Sequence, residues 1–129
     1  MINLKLSRLR CSKKNNKSET RIQQAIVQYL NLRQVKHYLA SAGGIRASIG
    51  TVMQLKRSGV INKGCPDLFI FERRKNFCGL VLELKSGKHY KTTAEQEDWL
   101  KHLQTLGFKV AVPIGLNEAI KIIDDYLSL

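Results

Sequence analysis

Residues 66–85 read PDLFIFERRKNFCGLVLELK, from Pro66 to Lys85. Two runs of branched and aromatic residues flank a polar centre. The pattern predicts a strand over 67–72, opening directly after the turn Lys63-Gly64-Cys65-Pro66. It predicts a second strand over 80–85, stopped by Ser86-Gly87. Residues 73–76 (Arg-Arg-Lys-Asn) form a natural hairpin loop, and a further break falls within 77–79.

The flanking segments supply the rest of the domain. Ser18 offers an N-cap, and Ile22, Ala25, Ile26, Tyr29 and Leu30 recur at helical spacing, which predicts a helix over 19–32. A short strand over 37–41 is followed by a Gly43-Gly44 break. Ile49, Val52, Met53 and Leu55 predict a short helix over 48–57, ending at Gly59. Beyond the hairpin, Thr93 begins a helix whose apolar face is Trp99, Leu100, Leu103 and Leu106, and Gly107 ends it. Residues 109–114 form a strand in which Pro113 marks an edge or an end. Asn117 caps a last helix carrying Ala119, Ile120, Ile123 and Leu127 on one face. Helix, strand, helix, strand, strand, helix, strand, helix describes an α/β domain, a mixed β-sheet flanked by helices. It occupies 18–129, preceded by a basic N-terminal arm over 1–17.

With 129 residues the chain fits one compact domain. Charge is its strongest compositional signal: 22 Lys and Arg against 10 Asp and Glu give a net +12. That excess attracts a polyanion through long-range steering and counterion release. A basic soluble protein without a nucleic-acid role is the plainer alternative. A membrane surface fits less well, because no basic amphipathic helix carries an aromatic face. From Thr20 to Pro66 there is no acid, while Arg21, Arg33, Lys36, Arg46, Lys56, Arg57 and Lys63 fall within that span. The arm carries Lys5, Arg8, Arg10, Lys13, Lys14 and Lys17, suited either to phosphates or to solvent. Cys11, Cys65 and Cys78 show no CxxC spacing, which argues against a disulfide framework or zinc knuckle and for a reducing, cytoplasmic setting. No apolar run approaches the ~18 residues of a membrane span.

Within the second strand, alternation puts Leu82 and Leu84 on one face and Glu83 and Lys85 on the other, roughly 6.5–7 Å apart. The pair is either solvent-facing decoration or a polar site whose burial a metal or phosphate relieves. Asp67, alone, fits a turn residue bonding its local backbone. In a hairpin, however, the start of one strand lies near the end of the next, so Asp67 and Glu83 can converge. Two carboxylates without a His or Cys cluster suit Mg²⁺ or Mn²⁺, which activate phosphodiester hydrolysis.

Pro66-Asp67 followed by Glu83-Leu84-Lys85 matches the PD-(D/E)XK nuclease signature. The ordered set goes further: Glu19 opening a helix, Gly43-Gly44, Gly64-Cys65-Pro66-Asp67, Leu82 to Ser86, Thr93 to Trp99, and Gly107-Phe108-Lys109-Val110. Over about 18–127 it resembles the virus-type replication-repair nuclease (VRR-NUC) domain. The resemblance implies a restriction-endonuclease-like fold and Mg²⁺- or Mn²⁺-dependent cleavage of DNA. It implies metal ligation by Asp67, Glu83 and the Leu84 backbone carbonyl, with Lys85 as the catalytic lysine. Glu19 would approach the metal, and Gln96 would lie beside the active site. Stand-alone members are homodimers acting on branched DNA such as four-way junctions, in phage or viral settings. Both helix residues also have ordinary explanations: Glu19 suits a helix dipole, and Gln96 stands three after Thr93 in a capping box. A non-catalytic nucleic-acid-binding module and a restriction-type nuclease are the rival functions.

Overall fold

The computed structural model describes residues 18–40, 50, 53–54, 57–59, 63–87 and 91–129. The expected arm over 1–17, the Gly43-Gly44 break and most of the expected 48–57 helix lie outside the described residues. The elements run α1 (Ser18–Leu32), β1 (His37–Leu39), β2 (Leu68–Ile70), β3 (Gly79–Leu82), α2 (Ala94–Thr105), β4 (Phe108–Ala111) and α3 (Leu116–Leu127). One mixed sheet has the order β1-β2-β3-β4. The first two pairs are antiparallel and β3-β4 is parallel. A parallel pair needs a crossover, and α2 provides it.

Strand alternation builds two cores on opposite faces of this sheet. Leu68, Ile70, Leu80, Leu82 and Leu84 pack with Ile26 and Leu30 of α1 and with Ala119, Ile120, Ile123 and Tyr126 of α3. The intervening residues Phe69, Val81 and Val110 face Leu100, Leu103 and Trp99 of α2. Arg33 of α1 pairs with Asp124 of α3 at 2.6 Å, and Tyr29 donates to the same carboxylate.

The ends of the helices differ from the sequence expectations. Helix α1 stops at a Schellman motif without a glycine. Gln34 takes the left-handed conformation (φ 57°), Val35 N–H donates to Leu30 C=O, and Gln34 N–H donates to Asn31 C=O. Asn117 does not cap α3. The cap position is Gly115, at φ 83°, and the Glu118 carboxylate reaches back to the Ile114 N–H at 3.0 Å. Leu106 is exposed rather than part of the α2 face, because the helix ends on it as its C-cap.

Both central strands are shorter than expected, and that positions the site. Regular pairing of β2 with β3 stops at Leu68-Leu82. On the other side the ladder continues, with Glu83 N–H on Ala111 C=O, Lys85 N–H on Pro113 C=O and Gly115 N–H on Lys85 C=O. Over residues 83–85 the backbone ladder runs on the β4 side, and the regular β2 pairing on the other side has ended, which leaves a gap there.

Candidate active site

Asp67 fills that gap. One step beyond the Leu68-Leu82 pair, it faces the Glu83 end of β3, and its Oδ2 accepts the Leu84 N–H at 2.8 Å. Its own carbonyl accepts the Ala40 N–H at 2.7 Å, fixing the backbone from the β1 side. In an extended chain a residue's N–H and C=O lie on the same edge, so the Leu84 carbonyl turns toward the same gap.

Glu83 and Lys85 do share a face, but it is not a solvent face. They are only 3% and 8% exposed, beneath the first turn of α2. Lys85 Nζ lies 3.1 Å from Glu83 Oε1 and 3.2 Å from Gln96 Oε1. Gln96 Nε2 donates to the same Glu83 Oε1 at 2.5 Å. Gln96 also caps α2: its Oε1 accepts the Thr93 N–H, and its N–H donates to Thr93 Oγ1, closing a capping box. Glu83 Oε2 is buried and has no hydrogen-bond partner among the described residues. An unsatisfied buried carboxylate oxygen is costly, and it marks where a cation or ligand would be accommodated.

Burial is the largest influence on both acids. It pushes the Asp67 pKa up, opposed by the Leu84 N–H and the Lys85 charge and assisted by Glu19. It pushes Glu83 up as well, with the Asp67 charge adding to it and Lys85 opposing. Glu19, in the first turn of α1, is thus brought electrostatically within reach of both carboxylates, although it makes no direct bond to either among the described contacts. Cys65 is half-buried nearby; burial first, then the charges of Asp67 and Glu83, raise its thiol pKa.

The sequence places Lys63 and Gly64 in the turn before β2 and Trp99 on an apolar helix face, but it does not show that they meet. Gly64, at φ 84°, lies so close to α2 that an added Cβ would sit 2.7 Å from the Glu95 carbonyl carbon and 2.9 Å from the Gln96 nitrogen. Trp99 Nε1 donates to the Lys63 carbonyl at 3.1 Å, and Lys63 Nζ pairs with Glu95 at 2.8 Å. A glycine three residues before the acid was the available signal.

A solved structure described as a VRR_NUC domain protein superposes with a TM-score of 0.68, covering 90% of this chain and 93% of that one. The chain has the VRR-NUC fold. That matches the restriction-endonuclease-like arrangement expected from the hairpin. The two sequences are 21% identical, so the likeness is one of fold. No protein-family model and no curated protein matches the sequence.

Among the described residues, no group of three or more His, Cys, Asp or Glu side chains forms a ready metal cluster. The available donors are oxygens: the Asp67 carboxylate, the orphaned Glu83 Oε2 and the Leu84 carbonyl. A small set of carboxylate and carbonyl oxygens suits Mg²⁺ or Mn²⁺, which keep several waters and need few protein ligands. The residues therefore fit such an ion.

Proposed function

We propose that the chain is a Mg²⁺- or Mn²⁺-dependent DNA endonuclease that hydrolyses phosphodiester bonds, with Asp67, Glu83 and Lys85 at its centre. One observation carries this reading: Glu83 is almost fully buried beside Asp67 and Lys85, yet keeps one oxygen without a partner among the described residues. A purely structural ion pair has no use for that oxygen. Asp67, Glu83 and the Leu84 carbonyl would hold the ion, with Glu19 approaching it from α1. A bound ion of this class polarises the phosphodiester and lowers the pKa of an attacking water. Lys85, its amine held by Gln96, orients that water or stabilises charge developing on the phosphoryl oxygens. Gln96 locks the amine and Glu83 in one arrangement.

The net charge of +12 supports DNA as the partner. We assign branched DNA, such as four-way junctions, as substrate by analogy with the resembled family. A homodimer suits it, because two-fold symmetry presents two sites for paired incisions. Cleavage of linear, nicked, flapped and four-way-junction DNA with Mg²⁺ or Mn²⁺, beside Glu83→Gln and Lys85→Met, tests the reading. The expected outcome is parent cleavage and a loss of about 100-fold or more in each variant, the scale of removing a group that acts in the transition state. Full activity in both variants would remove these residues from the mechanism. DNA binding without cleavage by the parent, across metals and substrates, would favour a non-catalytic binding module. Elution as a monomer at micromolar concentration would exclude the paired-incision arrangement.

A further inference from the structure

The site residues come from three separate pieces of chain. Glu83 and Lys85 continue from β3, Gln96 belongs to the first turn of α2, and Asp67 ends the loop that leads into β2. The first two pieces are fixed to each other by the packing of Val81 on Leu100 and Leu103 and by the Gln96 bonds. The Asp67 backbone is held on the β1 side by the Ala40 N–H and by Leu68 in β2, and its carboxylate is located by the Leu84 N–H and by the path of the loop before it. That loop is seated on α2 at two points. Gly64 lies against the Glu95-Gln96 backbone at a distance only glycine allows. One turn further along α2, the Trp99 indole N–H takes the Lys63 carbonyl at 3.1 Å. Residues 95 and 99 are four apart, so both contacts lie along one stripe of the helix.

We propose that Trp99 is a positioning residue: through the Lys63 carbonyl it seats the 63–66 loop on α2 and so sets the Asp67 carboxylate against Glu83. Helix α2 then gauges both sides of the site, with Gln96 registering Glu83 and Lys85, and Trp99 registering Asp67. The exposed Lys63-Glu95 ion pair adds little, since both partners are solvent-screened. This inference rests on the proposed metal site for its functional consequence, but its geometric content stands apart from it.

Trp99→Phe tests the idea, because it keeps an aromatic ring on the second core and removes the donor together with part of the indole. The geometric readout is exchange of the Leu84 amide, whose acceptor is Asp67 itself. The neighbouring Glu83 amide, bonded to Ala111 on the opposite side, is the internal reference. We expect Leu84 exchange to rise about fivefold, the worth of one neutral hydrogen bond, with Glu83 exchange unchanged. Lys63→Ala, which removes the ion pair but keeps the carbonyl, should leave both amides unchanged. Titration of metal-free protein with Mn²⁺, followed by its paramagnetic resonance signal, gives the functional readout, and Trp99→Phe should weaken binding by a similar factor. Equal acceleration of both amides would mean general loosening and would overturn the positioning role, as would unchanged Leu84 exchange. A parent that takes up no Mn²⁺ would instead overturn the metal-site reading, while the amide comparison would still decide the role of Trp99.

Discussion

At Asp67 two demands pull against each other. Burial raises its pKa, while the Leu84 N–H and Lys85 hold the charge in place only in part. A carboxyl group whose folded pKa lies above its unfolded value binds more protons when folded, so its contribution favours folding at acid pH and is lost as pH rises through the folded pKa. Asp67→Asn keeps an oxygen for the Leu84 N–H and removes the charge. Without metal, we expect this variant to be more stable than the parent at neutral pH by about 1 kcal/mol, as is common when a functional charge is removed. The advantage should shrink as pH falls through the raised folded pKa and be gone at the ordinary carboxylate value, because the parent is then neutral too. Thermal melts in chelator across pH check this, and a variant less stable at neutral pH would contradict it. Lys85→Met carries the opposite expectation. It leaves Glu83 charged, buried and short of its cation, so it should destabilise by about 3–5 kcal/mol at neutral pH.

The elements carry strain at identifiable points. Gln34 holds a left-handed conformation at the end of α1, where glycine is the usual residue. Gln34→Gly should therefore stabilise the fold by about 0.5–1 kcal/mol, read as a rise in the denaturant midpoint at constant slope. Gly79 is the converse case. It lies in β3 with ordinary dihedrals, but an added Cβ would fall 2.8 Å from the Ile70 carbonyl oxygen and 2.9 Å from the Phe108 ring. Backbone cannot yield there without parting β2 from β3. Gly79→Ala should cost about 1–3 kcal/mol by overpacking. A neutral effect in equilibrium unfolding would show that the strands shift more freely than their register implies.

Charge belongs to the scale of the whole molecule. The formal +12 lies in residues 1–66, because residues 67–129 carry nine Lys and Arg against nine Asp and Glu, and no helix among the described residues is long and apolar enough to cross a membrane. If phosphates are the target, log K for DNA binding should fall linearly with log salt, by about 0.9 per phosphate neutralised. Deleting residues 1–17 removes Lys5, Arg8, Arg10, Lys13, Lys14 and Lys17 and should flatten that slope. Fluorescence anisotropy with a labelled duplex across salt measures both, and an unchanged slope after the deletion would take the arm out of the interface.

The sequence by itself determined the elements and their pattern. Alternation in 80–85 put Glu83 and Lys85 on one side of a strand, and the hairpin around 73–76 brought Asp67 to the same end. Both follow from local periodicity, which neighbours in the chain enforce. The helix ends were less readable. Nothing local marks Gln34 as a left-handed residue, and Gly115 displaced Asn117 as the α3 cap because Glu118 reached the Ile114 N–H instead. Tertiary structure alone decided whether the Glu83-Lys85 face meets water or protein. The crossover that makes β3 and β4 parallel lays α2 over that face, buries both charges, and leaves Glu83 Oε2 without a partner among the described residues. It also brought Lys63 and Gly64 against Trp99 and Glu95, more than thirty positions away. Burial and long-range hydrogen bonds depend on how elements stack, and no window of sequence contains that information.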